Sequence, residues 1–281
     1  MPELPEVETV RRGLARAMEG RRIDGVRVAR RDLRRPLPAD FEQRLVGRTV
    51  TAVGRRAKYL TIGLDDGGVL LAHLGMSGRM IVDENGADAQ SSHPLADHEH
   101  VTFVLGNRTF VRFADPRRFG MMDWVADGGL ADHPLIAHLG PEPTGADFDG
   151  ARLWSLLAGK RTPVKAALLD QRVVAGLGNI YACESLFSAG ISPRRLAANV
   201  GPERAGRLAR AIRETLAAAI DAGGSSLRDH VAPDGELGYF QHRFKVYGRE
   251  GEPCPGCDCG AAIRRIVQSG RSTFYCARRQ R

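Results

Sequence analysis

The sequence predicts an α+β protein in which a strand-rich half precedes a helix-rich half. Three observations predict it. Short apolar or alternating runs recur between residues 22 and 126, separated by turn signals such as Asp65-Asp66-Gly67-Gly68 and Gly106-Asn107. From residue 151 the spacing turns helical, most clearly over Glu203–Ala222, where Leu208, Ile212, Leu216 and Ile220 recur four apart with arginines on the other face. Four of the five cysteines, Cys254, Cys257, Cys259 and Cys276, crowd the C-terminus. Many short strands at this spacing suggest a sandwich or flattened barrel, and the cysteines suggest a small stapled module at the end.

The elements follow in order. Residues 3–19 read as a helix, with Val7, Val10, Leu14 and Met18 on one face and Gly20 as a stop. Strands are expected at Ile23–Val28, Val50–Val53, Tyr59–Leu64, Val69–Leu74, Val101–Leu105, Thr109–Phe113 and Met121–Val125. Asp83–Asp97 is polar and reads as a surface loop. Asp127-Gly128-Gly129, Gly140-Pro141-Glu142-Pro143 and Asp149-Gly150 punctuate a change of composition. The boundaries drawn from it are 1–130 for the first domain, 131–150 for a linker, 151–242 for a helical domain and 243–281 for a terminal hairpin. Helices are expected from Leu153, over Val164–Leu169, over Ile180–Ser188 and over Glu203–Ala222, the last ended by Gly223-Gly224. Residues 225–242 read as a long loop. Arg243–Val246 and the stretch around Ile263–Tyr275 read as strands.

Composition narrows the function. The chain has 281 residues, 43% hydrophobic, and no apolar run approaches the ~20 residues of a membrane span. Glu3, Glu6 and Glu8 stand where a secretory signal would carry basic and apolar residues, so the expected compartment is the cytoplasm, with cysteines reduced. The net charge is +8, and residues 243–281 hold nine Lys/Arg against three Asp/Glu, so most of the excess sits with the cysteines. A basic, cysteine-rich module points to nucleic acid and to a metal rather than to disulfides.

Several motifs carry chemistry. The chain starts Met1-Pro2-Glu3-Leu4-Pro5-Glu6-Val7-Glu8. Removal of Met1 would leave a terminal proline, a secondary amine with a reference pKa near ~8, beside a carboxylate. That is a plan for imine chemistry on a sugar or carbonyl carbon; a helix start rich in Pro and Glu is the plain alternative. Cys254-Pro255-Gly256-Cys257 is a metal knuckle, and 18 residues lie between Cys257 and Cys276. Its usual partner at 279 is Arg279, which leaves Cys259 as the nearby thiol for a fourth ligand; free thiols in a hairpin without metal are the alternative.

Asp115-Pro116-Arg117-Arg118-Phe119-Gly120 places arginines and an aromatic in a turn, able to meet phosphates or wedge between bases, or else to form a surface ion cluster over a core Phe. Met76 in His73-Leu74-Gly75-Met76-Ser77-Gly78 is either an exposed wedge or a gap filler. Lys58 in Arg55-Arg56-Ala57-Lys58-Tyr59 is either an acid/base or phosphate ligand or part of a solvated face. Val174-Ala175-Gly176-Leu177-Gly178-Asn179-Ile180 puts glycines ahead of a helix N-terminus, a place for phosphate or only a tight turn.

Taken in order, these motifs, with Leu139-Gly140-Pro141-Glu142-Pro143 and Val246-Tyr247-Gly248-Arg249, resemble those of bacterial formamidopyrimidine-DNA glycosylases over essentially the whole chain. Leu4 and Val7-Glu8 resemble this family more than its pyrimidine-directed relative, endonuclease VIII. The resemblance implies an N-terminal helix with a β-sandwich, then a helical domain with a helix–two-turn–helix motif around Asn179, then a β-hairpin zinc finger. It implies a base-excision repair enzyme, a bifunctional glycosylase and abasic-site lyase for 8-oxoguanine and formamidopyrimidines that ends in β,δ-elimination. Pro2 would form the Schiff base, Glu3 would handle protons, and Lys58 and Arg271 would act on the sugar and phosphates. Met76, Arg117 and Phe119 would fill the gap left by the flipped nucleotide, and His98, Arg161 and Asn179 would contact the DNA backbone. The loop at 225–242 would cover the flipped base. A structural zinc ion is implied, with Cys254, Cys257, Cys259 and Cys276 the favoured ligands here; in the family 16 residues separate the cysteine pairs and the finger ends Cys-x2-Cys. The partner would be damaged duplex DNA met by a monomer, in the bacterial nucleoid. A zinc-ribbon DNA binder without catalysis is the rival, and it predicts that Pro2 and Glu3 are dispensable.

Overall fold

The structure, a computed structural model, describes residues 2–84, 98–225, 238–258 and 260–281. The chain forms two compact units, Met1–Ala137 with Ala222–Tyr239, and His138–Asp221 with Phe240–Arg281.

The first unit opens with α1 (Leu4–Met18). A capping box starts it: the N–H of Glu3 donates to Glu6 Oε2 at 2.8 Å, and a proline in the first turn fixes φ where no intrahelical donor is needed. Leu4, Val7, Val10, Leu14, Ala17 and Met18 are buried along one face.

Eight strands follow: β1 (Ile23–Val28), β2 (Val50–Arg56), β3 (Tyr59–Leu64), β4 (Val69–His73), β5 (Arg79–Asp83), β6 (Glu99–Leu105), β7 (Thr109–Ala114) and β8 (Met121–Val125). They make two antiparallel four-stranded sheets, ordered β1-β6-β7-β5 and β2-β3-β4-β8. One core joins them: Ile23, Phe103, Val111 and Phe113 from the first sheet pack with Val53, Leu60, Ile62, Leu70 and Met122 from the second and with the buried face of α1. This is the expected sandwich. Two elements had no clear pattern in the sequence, the short helix α2 (Phe41–Leu45) and β5. Phe41 and Leu45 are buried at the ends of a single turn, too short to show a period.

The second unit contains α3 (Gly150–Leu157), α4 (Val164–Leu169), α5 (Asn179–Ser188) and α6 (Pro202–Asp221), followed by the hairpin β9 (Arg264–Gln268) and β10 (Arg271–Tyr275). Ser269 and Gly270 link the two strands with φ of +49° and +72°, the positive pair of a type I′ turn that matches strand twist. Aromatic rings run from α5 to the hairpin, Tyr181 to Phe240, Phe244, Tyr247 and Phe274, with centroids 5.1 to 5.8 Å apart.

The expectation of a strand at Arg243–Val246 is corrected. Phe240–Arg243 is a 3-10 turn, and the next N–H groups have a side-chain partner instead of a strand. The buried carboxylate of Glu184 accepts from the N–H of Lys245, Val246 and Tyr247 at 2.8 to 3.0 Å. Among the described residues, no helix is long and apolar enough to cross a membrane.

Candidate active site

In the first unit the site is built from the head of α1, the β2–β3 turn and the loops after β4 and β7. Pro2 and Glu3 are buried. Below them Glu6 divides its carboxylate. One oxygen caps Glu3, and the other accepts from the N–H and the hydroxyl of Ser225 at 2.8 and 2.9 Å. Gly224 (φ +79°) and Gly238 allow this approach, since a Cβ on Gly238 would lie 2.4 Å from the Gly224 carbonyl oxygen. The loop expected at 225–242 lies for the most part, residues 226–237, outside the described residues; its two ends are paired, Ser225 with Tyr239.

Two residues further on, Glu8 accepts from Arg55 at 3.2 Å, and Arg55 in turn donates to the Ala57 carbonyl at 2.8 Å. This relay fixes the β2–β3 turn to α1. Burial pushes the Glu8 carboxyl up, but bonds and charge from Arg11 and Arg55 outweigh it and hold it below the usual carboxylate range. Ala57 sits at φ +53°, a strained value for a residue with a Cβ, and Lys58 follows it. Lys58 is 7% exposed, so it is not part of a solvated charged face.

His73 ends β4. Its Nδ1 accepts the Gly75 N–H at 2.9 Å, so the proton of the neutral ring belongs on Nε2. Burial, and then the charges of Lys58 and Arg34, push its pKa down to about 4. Tyr59 lies 4.9 Å from the His73 ring, and burial pushes its phenol up.

Met76 and Phe119 are 39% and 42% exposed, among the most exposed large apolar side chains described. Neither plugs the core. The Arg117 guanidinium stands 4.9 Å over the Phe119 ring, and Arg117 itself is exposed. His98 is exposed at φ +74°, and Arg118 has φ +56°. Of the five described non-glycine residues with positive φ, Ala57, His98 and Arg118 are, or adjoin, residues singled out from the sequence. Strain of this kind concentrates where the surrounding structure imposes it.

In the second unit Asn179 is the first residue of α5, after Gly178 at the cap. Its Nδ2 donates to the Ser272 carbonyl at 3.0 Å. Lys165, fully buried, donates to Thr273 Oγ1 at 2.6 Å and to the same Ser272 carbonyl at 3.2 Å. Asn179 and Lys165 thus moor the residues directly after Arg271, which is exposed at the start of β10. Arg161 is exposed between α3 and α4.

The sulfurs of Cys254, Cys257 and Cys276 lie within 4.8 Å of one another, and those of Cys254 and Cys257 are 3.4 Å apart. Three convergent cysteine sulfurs, two of them buried, fit a soft divalent ion. Cys259 lies outside the described residues. Arg279 serves as a strut. Its Nη1 donates to the Gly256 carbonyl at 2.5 Å and its Nε to the Phe187 carbonyl at 3.3 Å, with the guanidinium 5.0 Å over the Phe187 ring.

Sequence reasoning assigned no role to Glu6, His73, Asp115, Lys165 or Glu184. A charged residue inside an otherwise apolar helical run, as in Val164-Lys165-Ala166-Ala167-Leu168-Leu169, is the available signal for Lys165.

Comparison with known proteins agrees with this geometry. Residues 1–122 match the formamidopyrimidine-DNA glycosylase N-terminal domain, and residues 139–231 match the H2TH domain of the same family. A formamidopyrimidine-DNA glycosylase from Rhodopseudomonas palustris is 57% identical over all of both chains, and one from Cereibacter sphaeroides is 58% identical over the same full extent. The crystal structure of the Fpg protein from Thermus thermophilus is similar, with a TM-score of 0.86 and 41% identity over 99% of this chain and 98% of that one. A Lactococcus lactis Fpg in complex with DNA containing an abasic site has a TM-score of 0.87 and 33% identity over all of both chains. The chain belongs to the formamidopyrimidine-DNA glycosylase family, a family of DNA glycosylase/AP lyases.

Proposed function

We propose that the chain excises oxidised purines from duplex DNA through a Schiff base on Pro2 and then cleaves the strand by β,δ-elimination. The observation that carries this is the buried head of α1. There Glu6 holds the Glu3 backbone in place, so the amine and the Glu3 carboxylate are presented by a fixed helix start. Solved complexes of similar proteins with DNA containing Fapy-dG or an abasic site support the substrate class.

The chemistry follows from the amine. A base inside a duplex must be extruded before C1′ can be attacked, at a cost of a few kcal/mol. Once Met1 is removed, the Pro2 nitrogen forms a bond to C1′ as the glycosidic bond breaks, and the departing base takes a proton. Loss of the amine proton and cleavage of the C1′–O4′ bond, with a proton taken up by O4′, then leave a cationic iminium. That cation acidifies the C2′ hydrogens, so elimination of the flanking phosphates follows. Glu3 handles protons at the sugar, Lys58 acts at the sugar and phosphate, and Arg271 holds phosphate. Met76, Arg117 and Phe119 fill the vacated stack, while His98, Arg161 and Asn179 hold the DNA backbone. Cys254, Cys257 and Cys276, with Cys259 as the proposed fourth ligand, would hold a zinc ion, which would cross-link the knuckle to the hairpin. The exposed basic residues of 243–281 favour a DNA partner, which a monomer can engage.

Borohydride trapping on duplexes with 8-oxoguanine or formamidopyrimidine tests the reading. A covalent adduct that is lost when an uncleaved N-terminal tag blocks the terminal amine, and weakened by Pro2→Gly, whose primary amine still forms an imine, is expected. An adduct undiminished by the tag, or no adduct on any lesion, refutes it.

A further inference from the structure

Two separate loops carry the proposed gap-filling side chains, Met76 after β4 and Arg117 with Phe119 after β7. A wedge is useful only if it resists the stacked bases it displaces. Two loops that moved independently would yield one at a time.

One buried carboxylate ties them together. Asp115 is fully buried. Its Oδ1 accepts the Ser77 hydroxyl at 2.6 Å and the Arg117 N–H at 3.3 Å. Its Oδ2 accepts the Gly120 N–H at 2.7 Å. Ser77 is next to Met76, while Arg117 and Gly120 bracket Phe119. The Ser77 oxygen also accepts the Arg117 N–H at 3.3 Å, which closes a ring across the two loops. Asp115 is itself fixed, its N–H donating to the His98 carbonyl at 2.9 Å and its own carbonyl lying 2.8 Å from His100 Nε2. The backbones then touch directly. A Cβ on Gly75 would lie 2.3 Å from the Phe119 carbonyl carbon and 2.4 Å from the Gly120 nitrogen. Every donor to the carboxylate here is a neutral hydroxyl or amide, so the arrangement organises loops rather than neutralising a cation.

We infer that Asp115 is the positioning residue that locks the Met76 and Arg117–Phe119 loops into a single wedge, so that DNA distortion and base extrusion depend on it. This rests on the proposed gap-filling role of Met76, Arg117 and Phe119. Asp115→Asn keeps the size of the side chain, but one oxygen becomes an amide donor. Either orientation of that amide sets a donor against the N–H of Gly120 or of Arg117.

The test separates extrusion from chemistry. Single-turnover excision of 8-oxoguanine from duplex is compared with borohydride trapping on an abasic site in single-stranded DNA, where no stack has to open. A 2-aminopurine beside the lesion reports extrusion by stopped-flow fluorescence. Asp115→Asn is expected to slow duplex excision and the fluorescence step by about tenfold, the loss that follows when a buried donor loses its acceptor. Single-stranded trapping should change by less than about twofold. Ser77→Ala removes the Ser77 links to Asp115 and to the Arg117 N–H but leaves Asp115 on Arg117 and Gly120, and should give a smaller loss of the same kind, which keeps the test open if Asp115→Asn does not fold. Phe119→Ala is the control. If it shows no duplex-selective loss, the gap-filling role fails. If Phe119→Ala shows that loss while Asp115→Asn and Ser77→Ala do not, or slow both reactions equally, the coupling by Asp115 is wrong.

Discussion

Glu6 grips Ser225 by two hydrogen bonds, from its N–H at 2.8 Å and its hydroxyl at 2.9 Å, while the other Glu6 oxygen caps Glu3. The helix that presents Pro2 and the chain just before residues 226–237 therefore share one carboxylate. Glu6→Gln offers a single acceptor oxygen, so either the Glu3 N–H or the Ser225 N–H is left buried and unpaired. A loss of about 1–3 kcal/mol is expected, read as a lower melting temperature and a slower single-turnover excision. Unchanged values for both would show that the shared carboxylate is not limiting.

His73 gives a pH dependence. Burial holds its folded pKa at about 4, against an ordinary value of 6.5. Between these values the unfolded chain binds a proton that the folded protein does not. Stability from this residue is therefore fully present above pH 6.5 and is lost as the pH falls toward 4, by at most about 3 kcal/mol. Proton NMR should show the His73 ring neutral down to near pH 4, and His73→Asn should flatten the loss of stability in urea titrations over that window. A His73 midpoint near 6.5 would contradict the structure.

Lys165 and Asn179 both hold the Ser272 carbonyl, one residue beyond Arg271. Lys165→Met keeps the buried volume and removes the donor. Amide exchange at Ser272 and Thr273 should accelerate, and elimination at a preformed abasic site should slow by about tenfold if Arg271, the proposed phosphate ligand, is no longer held still. Unaltered exchange with normal elimination would detach Lys165 from Arg271.

Arg279 stands where the family resemblance would place a fourth cysteine, and it braces the Gly256 and Phe187 carbonyls. Arg279→Ala should destabilise the finger by about 1–2 kcal/mol through two lost hydrogen bonds and a cation–π contact. Arg279→Cys should bind zinc more tightly in competition with a chromophoric chelator, and chelation should unfold it more completely than the parent chain. Zinc affinity unchanged in Arg279→Cys, together with zinc content unchanged in Cys259→Ser, would mean that neither position bears on the metal.

Much of the fold was legible because its signals are local. Val7, Val10, Leu14 and Met18 mark α1 at helical spacing, and the strands Ile23–Val28, Tyr59–Leu64 and Met121–Val125 stand where alternation put them. Arg243–Val246 reads as a strand because its side chains alternate, yet its N–H groups go to Glu184, sixty residues earlier, which no local pattern records. The same limit applies to the site. The exposure of Met76 and Phe119 accords with glycine-flanked and charged surroundings that disfavour a core position. Asp115 and Glu6 were visible as residues, but their work lies in partners 38 and 219 positions away.

The first unit is not continuous in the chain, since it takes in Ala222–Tyr239 after the helices of the second have been made. During synthesis, the residues of α1 and both sheets are made long before Ser225 leaves the ribosome, so Glu6 must wait for its two hydrogen bonds from Ser225. Contacts of such long sequence separation close late. A fragment ending near residue 137 would have its sandwich but not the partner of Glu6, and a separately expressed first unit needs residues 222–239 supplied, by fusion or as a peptide. The order of translation thus leaves the first helix made, α1, to gain its Ser225 contact only after the helices of the second unit have been made.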